Sequence, residues 1–204
     1  MALLSAVLAT ALLMGLGVSI MLVGTSEAVL GAHDRAARAL KEASLAAVHL
    51  AVADLRRQPS WSAVLSAGST PLSALPGRAA DFTLTPQAPW GGPALDLRRL
   101  TVDVAAAADI GGGDPQVWRL YEYGGLAELV PGAAESPFYL AAWVADDRAD
   151  GDGDPLVDAN GVLAIRAVAF GPGLGRAVTA VSLGKTAPPG GPDVVRILTI
   201  RPLS

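Results

Sequence analysis

"MALLSAVLATALLMGLGVSIMLVGTS" opens the chain, from Met1 to Ser26, without one charged side chain. An apolar helix of about 20 residues spans the ~30 Å hydrocarbon core of a bilayer. Residues 1–26 are therefore predicted to form a membrane-spanning helix, or the apolar core of a helical bundle. No second stretch of the sequence has this length and apolarity.

Residues 27–58 continue the helix with an amphipathic sequence in which alanine, a strong helix former, is common. One helical face carries a recurring apolar stripe: Leu45, Val48, Val52 and Leu55. The first proline of the chain is Pro59. We therefore predict one continuous helix of about 55 residues, whose second half packs its stripe against a globular head.

The residues on either side of the apolar segment indicate how the N-terminus of the protein is processed. A secretory signal begins with basic residues, whereas the first basic side chain here is Arg35. Ser26-Glu27-Ala28 resembles a signal-peptidase site, but the apolar run before it is longer than the apolar region of a signal peptide. The preferred interpretation is that a short basic leader has been removed just before Met1.

Composition narrows the classes of function. Hydrophobic residues make up 51% of the 204 residues and charged residues 17%, with a formal net charge of −4. Phosphate binding needs a basic face, and none is visible, so no nucleic-acid partner is expected. Cysteine is absent, which excludes disulfides and thiol chemistry.

Enzymatic constellations are also lacking in the sequence. The two histidines, His33 and His49, both lie on the predicted helix, away from the carboxylates further along the chain. The segment "GPGLG" at residues 171–175 lacks the Lys-Ser/Thr pair of a phosphate-binding loop and is interpreted as a hairpin turn. The chain is therefore predicted not to be an enzyme, and no small-molecule substrate is expected.

Residues 59–98 are predicted to be a connection rich in Pro, Gly and Ser, with a helical turn at residues 61–66 and a strand at residues 81–85. Residues 99–204 have the short β-rich segments and turns of a β head. Its strands are predicted at residues 99–105, 117–123, 138–145, 162–170, 176–183 and 194–200. Short turns imply antiparallel pairing, so the fold class is α+β: a long helix on a small antiparallel sheet.

An aspartate-rich loop, "DDRADGDGDPLVDANG" at residues 146–161, separates two predicted strands and contains six aspartates and one arginine. Asp150, Asp152 and Asp154 have the alternate spacing of the first three ligands in an EF-hand calcium loop. Like charges this close destabilise an ordered loop unless something neutralises them. Backbone carbonyls and further side chains can complete an oxygen shell: Asp146, Asp147, Asp158 and Asn160.

The match to an EF-hand is incomplete. Pro155 replaces the glycine of the sixth position, and Gly161 stands where a bidentate glutamate closes the site. Asp158 does fall at the ninth position, but strands rather than helices flank the loop. The predicted ligand is Ca²⁺, bound with an affinity of about 10⁻⁴–10⁻³ M. The alternative is a solvated hairpin loop whose charges spread into water.

Two segments of the chain resemble the PilX-type minor pilins of type IV pili. One is the N-terminal "MALLSAVLATALLMGLG" with its Ala-rich continuation, and the other is the distal "DGDGDPLVDANGVLAIRAVAFGPGLGRAVTAVSL". The middle, residues 59–137, has no such resemblance. The resemblance implies a subunit that prepilin peptidase cleaves and N-methylates at Met1, held in the inner membrane until it joins an extracellular pilus. Its partners would be other major and minor pilins, packed through Ser5, Gly15, Gly17 and Gly24.

Ser5 departs from the pilin pattern, because most pilins carry a glutamate there that meets the N-terminal amine of a neighbouring subunit. Burying that carboxylate and that amine without each other would be costly, so the pair favours addition to a filament. Subunits without the glutamate are typical of priming or tip positions. The resemblance therefore favours a minor pilin that promotes filament assembly and contributes to adhesion. A major pilin with unusual helix packing is the alternative.

Two further functions fit the same sequence. A pseudopilin of a type II secretion system has the same architecture, and neighbouring genes would separate it from a pilin. The other is a membrane-anchored, calcium-dependent adhesin that never polymerises. Such an adhesin would be translated from Met1, whereas a pilin gene would encode a short basic leader ending in Gly immediately before Met1.

Overall fold

A computed structural model describes residues 2–66, 85–108, 116–130, 132–133, 136–187, 190–191 and 193–203. The chain divides after Ala39 into two compact units. The strand predicted at residues 81–85 falls, apart from Thr85, outside the described residues.

Four helices are described. Helix α1, Ala2–Leu55, runs as one uninterrupted helix, which confirms the sequence prediction. It ends shortly before Pro59, as expected because the residue preceding a proline is pushed out of the helical region. The helical turn predicted in the connection is also confirmed, as α2, Trp61–Ser66. The remaining helices are α3, Leu97–Ala108, and the short α4, Leu126–Leu129.

Five strands form one antiparallel sheet in the order β1-β2-β3-β4-β5. Their bounds are β1 Arg119–Gly125, β2 Tyr139–Asp146, β3 Val162–Phe170, β4 Arg176–Thr186 and β5 Val194–Leu203. Each coincides, within a few residues at its ends, with one of the six predicted strands. The α+β class, with a long N-terminal helix packed on a small antiparallel sheet, is therefore confirmed.

The strand predicted at residues 99–105 is wrong, because this segment lies within α3. Asp96 caps the helix: its Oδ1 accepts a hydrogen bond from the backbone N–H of Arg99 at 3.0 Å. The indole N–H of Trp143 donates to the Thr101 hydroxyl at 2.8 Å and fixes the helix on the sheet. At the other end of α3, Arg166 donates to the carbonyls of Val104 and Ala107, where a cation suits the helix dipole.

One face of the sheet is covered by the part of α1 that belongs to the second unit, together with α2. The buried residues of α1 follow a single face: Leu40, Ala43, Ser44, Ala47, Val48, Ala51, Val52 and Leu55. They share a core with the inward side chains of the sheet, among them Leu140, Leu163 and Leu183. The predicted stripe is confirmed at Val48, Val52 and Leu55, whereas Leu45 is only partly buried.

The second face of the sheet is covered by α3. Leu97 packs there with Trp143, Phe170 and neighbouring aromatic side chains of the strands. Strand β2 is consequently buried along its whole length, since its alternate side chains enter the two different cores. This explains why its sequence, "YLAAWVA", is apolar throughout rather than alternating.

A buried hydroxyl pair links α1 to the sheet. Ser44 and Thr179 are 0% and 2% exposed, and their hydroxyl oxygens lie 2.8 Å apart across the first core. Since a buried hydroxyl without a partner costs free energy, this pairing favours one placement of the helix along β4.

Candidate functional site

The first half of α1 is the most exposed apolar surface in the described chain. Most side chains of residues 2–39 are exposed, including large aliphatic ones. Examples with at least 58% of their surface exposed are Leu3, Leu4, Leu8, Leu12, Leu13, Leu16, Met21 and Leu22. This helix is long and apolar enough to cross a membrane, and the window that meets this criterion contains no buried residue. It could therefore serve as a membrane anchor.

The residues expected to pack helices in a filament, Ser5, Gly15, Gly17 and Gly24, all lie in this exposed part. Met1, the expected site of N-methylation, falls outside the described residues. A Cβ added at Gly15, Gly17 or Gly24 would meet no other described atom within 4 Å. Ser5 is exposed on the same helix. Packing within the described chain therefore gives no reason for glycine at these three positions.

The aspartate-rich loop connects β2 to β3. In this antiparallel pair Asp146 lies opposite Leu163, so the loop leaves the sheet from that point and returns to it at Val162. Gly151 and Gly153 have φ angles of 74° and 76°, a region that favours glycine. These two left-handed residues turn the backbone on either side of Asp152.

Three carboxylates of the loop come together. Asp146, Asp150 and Asp152 each offer an oxygen, and these oxygens all lie within 4.8 Å of one another. Asp150 and Asp152 were expected from their spacing. Asp146 was expected only as an additional metal ligand. Its burial depends on the sheet register and cannot be seen in the loop sequence.

The other predicted ligands make hydrogen bonds inside the loop. Asp147 accepts from the backbone N–H of Ala149 at 2.9 Å and from the amide of Asn160 at 2.7 Å. Asp154 accepts from the backbone N–H of Leu156 at 3.0 Å. In this structure these side chains shape the loop rather than join the three-carboxylate group.

Asp158 closes the loop and ties it to α2. Its carboxylate accepts from the backbone N–H groups of Gly161 and Val162 at 2.7 and 3.1 Å. Its own backbone N–H donates to the Ser62 hydroxyl at 3.1 Å, while that hydroxyl lies 3.4 Å from the Asp158 carbonyl. The loop is therefore anchored to the helix that packs beside the end of α1.

Asp146 is the buried member of the group. Its residue is 4% exposed, and its Oδ1 has no hydrogen-bond partner among the described residues. Burial raises the pKa of its carboxyl to about 7, and the charges of Asp150, Asp158 and Asp147 act in the same direction. Burial also raises the pKa of Asp158, although two backbone N–H groups oppose the shift.

A pH dependence follows for the protein in chelator. Because both pKa values are raised on folding, the folded state binds protons more tightly than the unfolded state. For Asp146 this contribution to stability is present below about pH 4 and is lost as the pH rises through about 7, and Asp158 changes the stability in the same direction. Between pH 5 and pH 8 we expect the free energy of unfolding to fall by about 1–3 kcal/mol. Melting temperatures in chelator at the two pH values measure this change, and Asp146→Asn should remove most of it. A melting temperature that rises with pH would contradict the prediction.

The histidines lie where the sequence placed them, exposed on α1. The segment at residues 171–175 forms the turn between β3 and β4, with a short 3₁₀ helix at Pro172–Leu174. This agrees with its interpretation as a hairpin turn.

The long apolar N-terminal helix followed by a small antiparallel sheet is generally pilin-like. Comparisons of the chain with protein-family models, curated proteins and solved structures gave no significant match.

Proposed function

We propose that this chain is a structural assembly subunit, a PilX-type minor pilin anchored in the inner membrane before it joins an extracellular pilus. The observation that carries the proposal is the contrast within α1. Its residues 2–39 leave large aliphatic side chains exposed, whereas its residues 40–55 bury one face in the core of the second unit. An apolar surface this extensive must be shielded from water. Membrane lipid would shield it before assembly, and the helices of neighbouring subunits would shield it in the filament.

The glycines of α1 support helix packing between subunits. Helices in an apolar environment associate through small residues that allow close approach. Gly15, Gly17 and Gly24 face open space in the isolated chain, which suits contact with the helices of other major and minor pilins. Their positions within the uncharged segment agree with a contact made in the filament core.

Ser5 supports a priming or tip position. A hydroxyl cannot supply the charge that a glutamate would offer to the N-terminal amine of an earlier subunit. A subunit that starts or caps a filament has no need of that contact on one side. Adhesion by the β head at the tip would accompany this role.

Two measurements on protein purified from its native cell test the proposal. Mass analysis of the N-terminal peptide should find N-methylated Met1, and antibodies to the head should label sheared filaments. If the labelled filaments assemble from type II secretion components, the protein is a pseudopilin rather than a pilin. An unmethylated N-terminus translated from Met1, in protein absent from filaments, would overturn the proposal in favour of an anchored adhesin.

A further inference from the structure

The β2–β3 connection combines two independent features that point to a bound cation. The first is the convergence of three carboxylate oxygens, from Asp146, Asp150 and Asp152, within 4.8 Å of one another. The second is the burial of Asp146, which is 4% exposed and has an Oδ1 with no hydrogen-bond partner in the described part of the chain. An ionised carboxylate in such a position is costly unless a positive charge compensates it.

Hydrogen bonds hold the other two carboxylates in place. Oδ2 of Asp150 accepts from the backbone N–H of Ala159 at 2.8 Å, which links the two ends of the loop. Oδ1 of Asp152 accepts from the backbone N–H of Asp154 at 2.9 Å. Each bond orients its carboxylate through one oxygen, as hydrogen bonds around metal ligands commonly do.

We propose that Asp146, Asp150 and Asp152 together bind one Ca²⁺ ion. Ca²⁺ binds oxygen at about 2.3–2.6 Å, so ligands on opposite sides of one ion lie about 5 Å apart. The 4.8 Å spread of the three oxygens therefore fits a single coordination shell. Asp150 is partly exposed and Asp152 exposed, which leaves room for waters to complete six to eight ligands.

Calcium suits this loop better than magnesium. Mg²⁺ requires near-ideal octahedral geometry at about 2.0–2.1 Å and gives up its waters reluctantly, whereas Ca²⁺ accepts irregular geometry. Here a buried carboxylate at a strand end and two carboxylates on a glycine-containing turn form an irregular set. The ion would join the loop to the end of β2, and the Asp158–Ser62 contact would extend that support to α2.

This inference does not depend on the proposed pilin function. The proposed ligand set also differs from the one that the EF-hand spacing predicts, which contains Asp154 in place of Asp146. A comparison of Asp152→Asn with Asp154→Asn separates the two assignments. Both positions are exposed, and asparagine keeps the side-chain oxygen with which each aspartate accepts a backbone hydrogen bond.

The test uses the full chain in detergent micelles, stripped of metal with chelator and titrated with CaCl₂ while its melting temperature is recorded. We expect a saturable rise for the native protein, an affinity at least about tenfold weaker for Asp152→Asn, and a near-native response for Asp154→Asn. No rise in the native protein would overturn the proposal. A response lost in Asp154→Asn but kept in Asp152→Asn would overturn the ligand assignment, and an equal response to MgCl₂ would overturn the choice of calcium.

Asp146→Asn provides a second readout that a merely structural role would not produce. In chelator at pH 8 we expect this variant to melt higher than the native protein, because it removes an uncompensated buried charge. In saturating calcium it should melt lower than the native protein, because it loses a ligand. A lower melting temperature in both conditions would mean that Asp146 only supports the fold.

Discussion

Replacing Val48 with aspartate is expected to unfold the second unit at room temperature. Val48 is fully buried on the face of α1 that packs into the first core. Valine and aspartate have side chains of similar size, so the substitution places a carboxylate among apolar atoms without creating a large cavity. Burying such a group without a partner costs at least about 4 kcal/mol, a large share of the roughly 5–15 kcal/mol by which a typical domain is stable.

His49→Asp is the matched control for this prediction. It lies one residue further along the same helix and is exposed, so it introduces the same side chain with the same helix propensity. Circular dichroism melts and limited proteolysis of the full chain in detergent should show a native-like control and an unfolded Val48→Asp unit. Equal stability of the two variants would mean that α1 does not pack on the sheet through this face.

The second large effect concerns the apolar half of α1. The double replacement of Leu12 and Leu13 by lysine should release the protein from the membrane fraction. Each lysine near the centre of a spanning helix costs about 2.5–3.5 kcal/mol, so the pair costs about 5–7 kcal/mol. Fractionation of cells that express each variant measures the change, and alanine at both positions is the uncharged control.

Tryptophan fluorescence shows at the same time whether the second unit stays folded. All four tryptophans, Trp61, Trp90, Trp118 and Trp143, lie beyond residue 40 and report on that unit alone. We expect the lysine variant, once purified, to have the tryptophan fluorescence of the native protein. Loss of that signal would contradict the division of the chain, and full membrane retention would contradict the anchoring role of residues 1–26.

Most of the fold could be predicted because its signals are local and strong. An uncharged run followed by an amphipathic stripe specifies α1, and β-rich segments between turns specify the five strands. Residues 99–105 misled the prediction because Leu100, Val102 and Val104 alternate as in a strand. Leu97, Leu100 and Val104 also have helical spacing, and a window this short does not separate the two periods. The capping residue Asp96 is the sequence signal that favours the helix.

The candidate site could be predicted only in part. The density of aspartates pointed to residues 146–161, and the alternate spacing pointed to Asp150, Asp152 and Asp154, of which only the first two belong to the three-carboxylate group. The role of Asp146 follows from its place at the end of β2, opposite Leu163, where the packed sheet buries it. That environment is created by side chains distant in sequence, so the loop composition alone could not identify it. The carboxylate of Asp154 instead accepts a local hydrogen bond from the backbone N–H of Leu156, two residues further on, which the spacing of the aspartates does not reveal.

The simple strand order has a consequence for the timing of folding. Every strand pairs with its neighbour in sequence, so the sheet can grow hairpin by hairpin with short loop closures as synthesis proceeds. The contacts of α1 are the opposite case: Ser44 meets Thr179 across 135 positions, and Arg56 donates to the Val195 carbonyl across 139. The apolar side chains of residues 40–55 that pack on β4 and β5 therefore stay uncovered until nearly the entire polypeptide has been made, whereas those that pack on α2 and β2 are covered earlier. During that interval the nascent protein is most exposed to aggregation and to proteases, and a chaperone would be of greatest use.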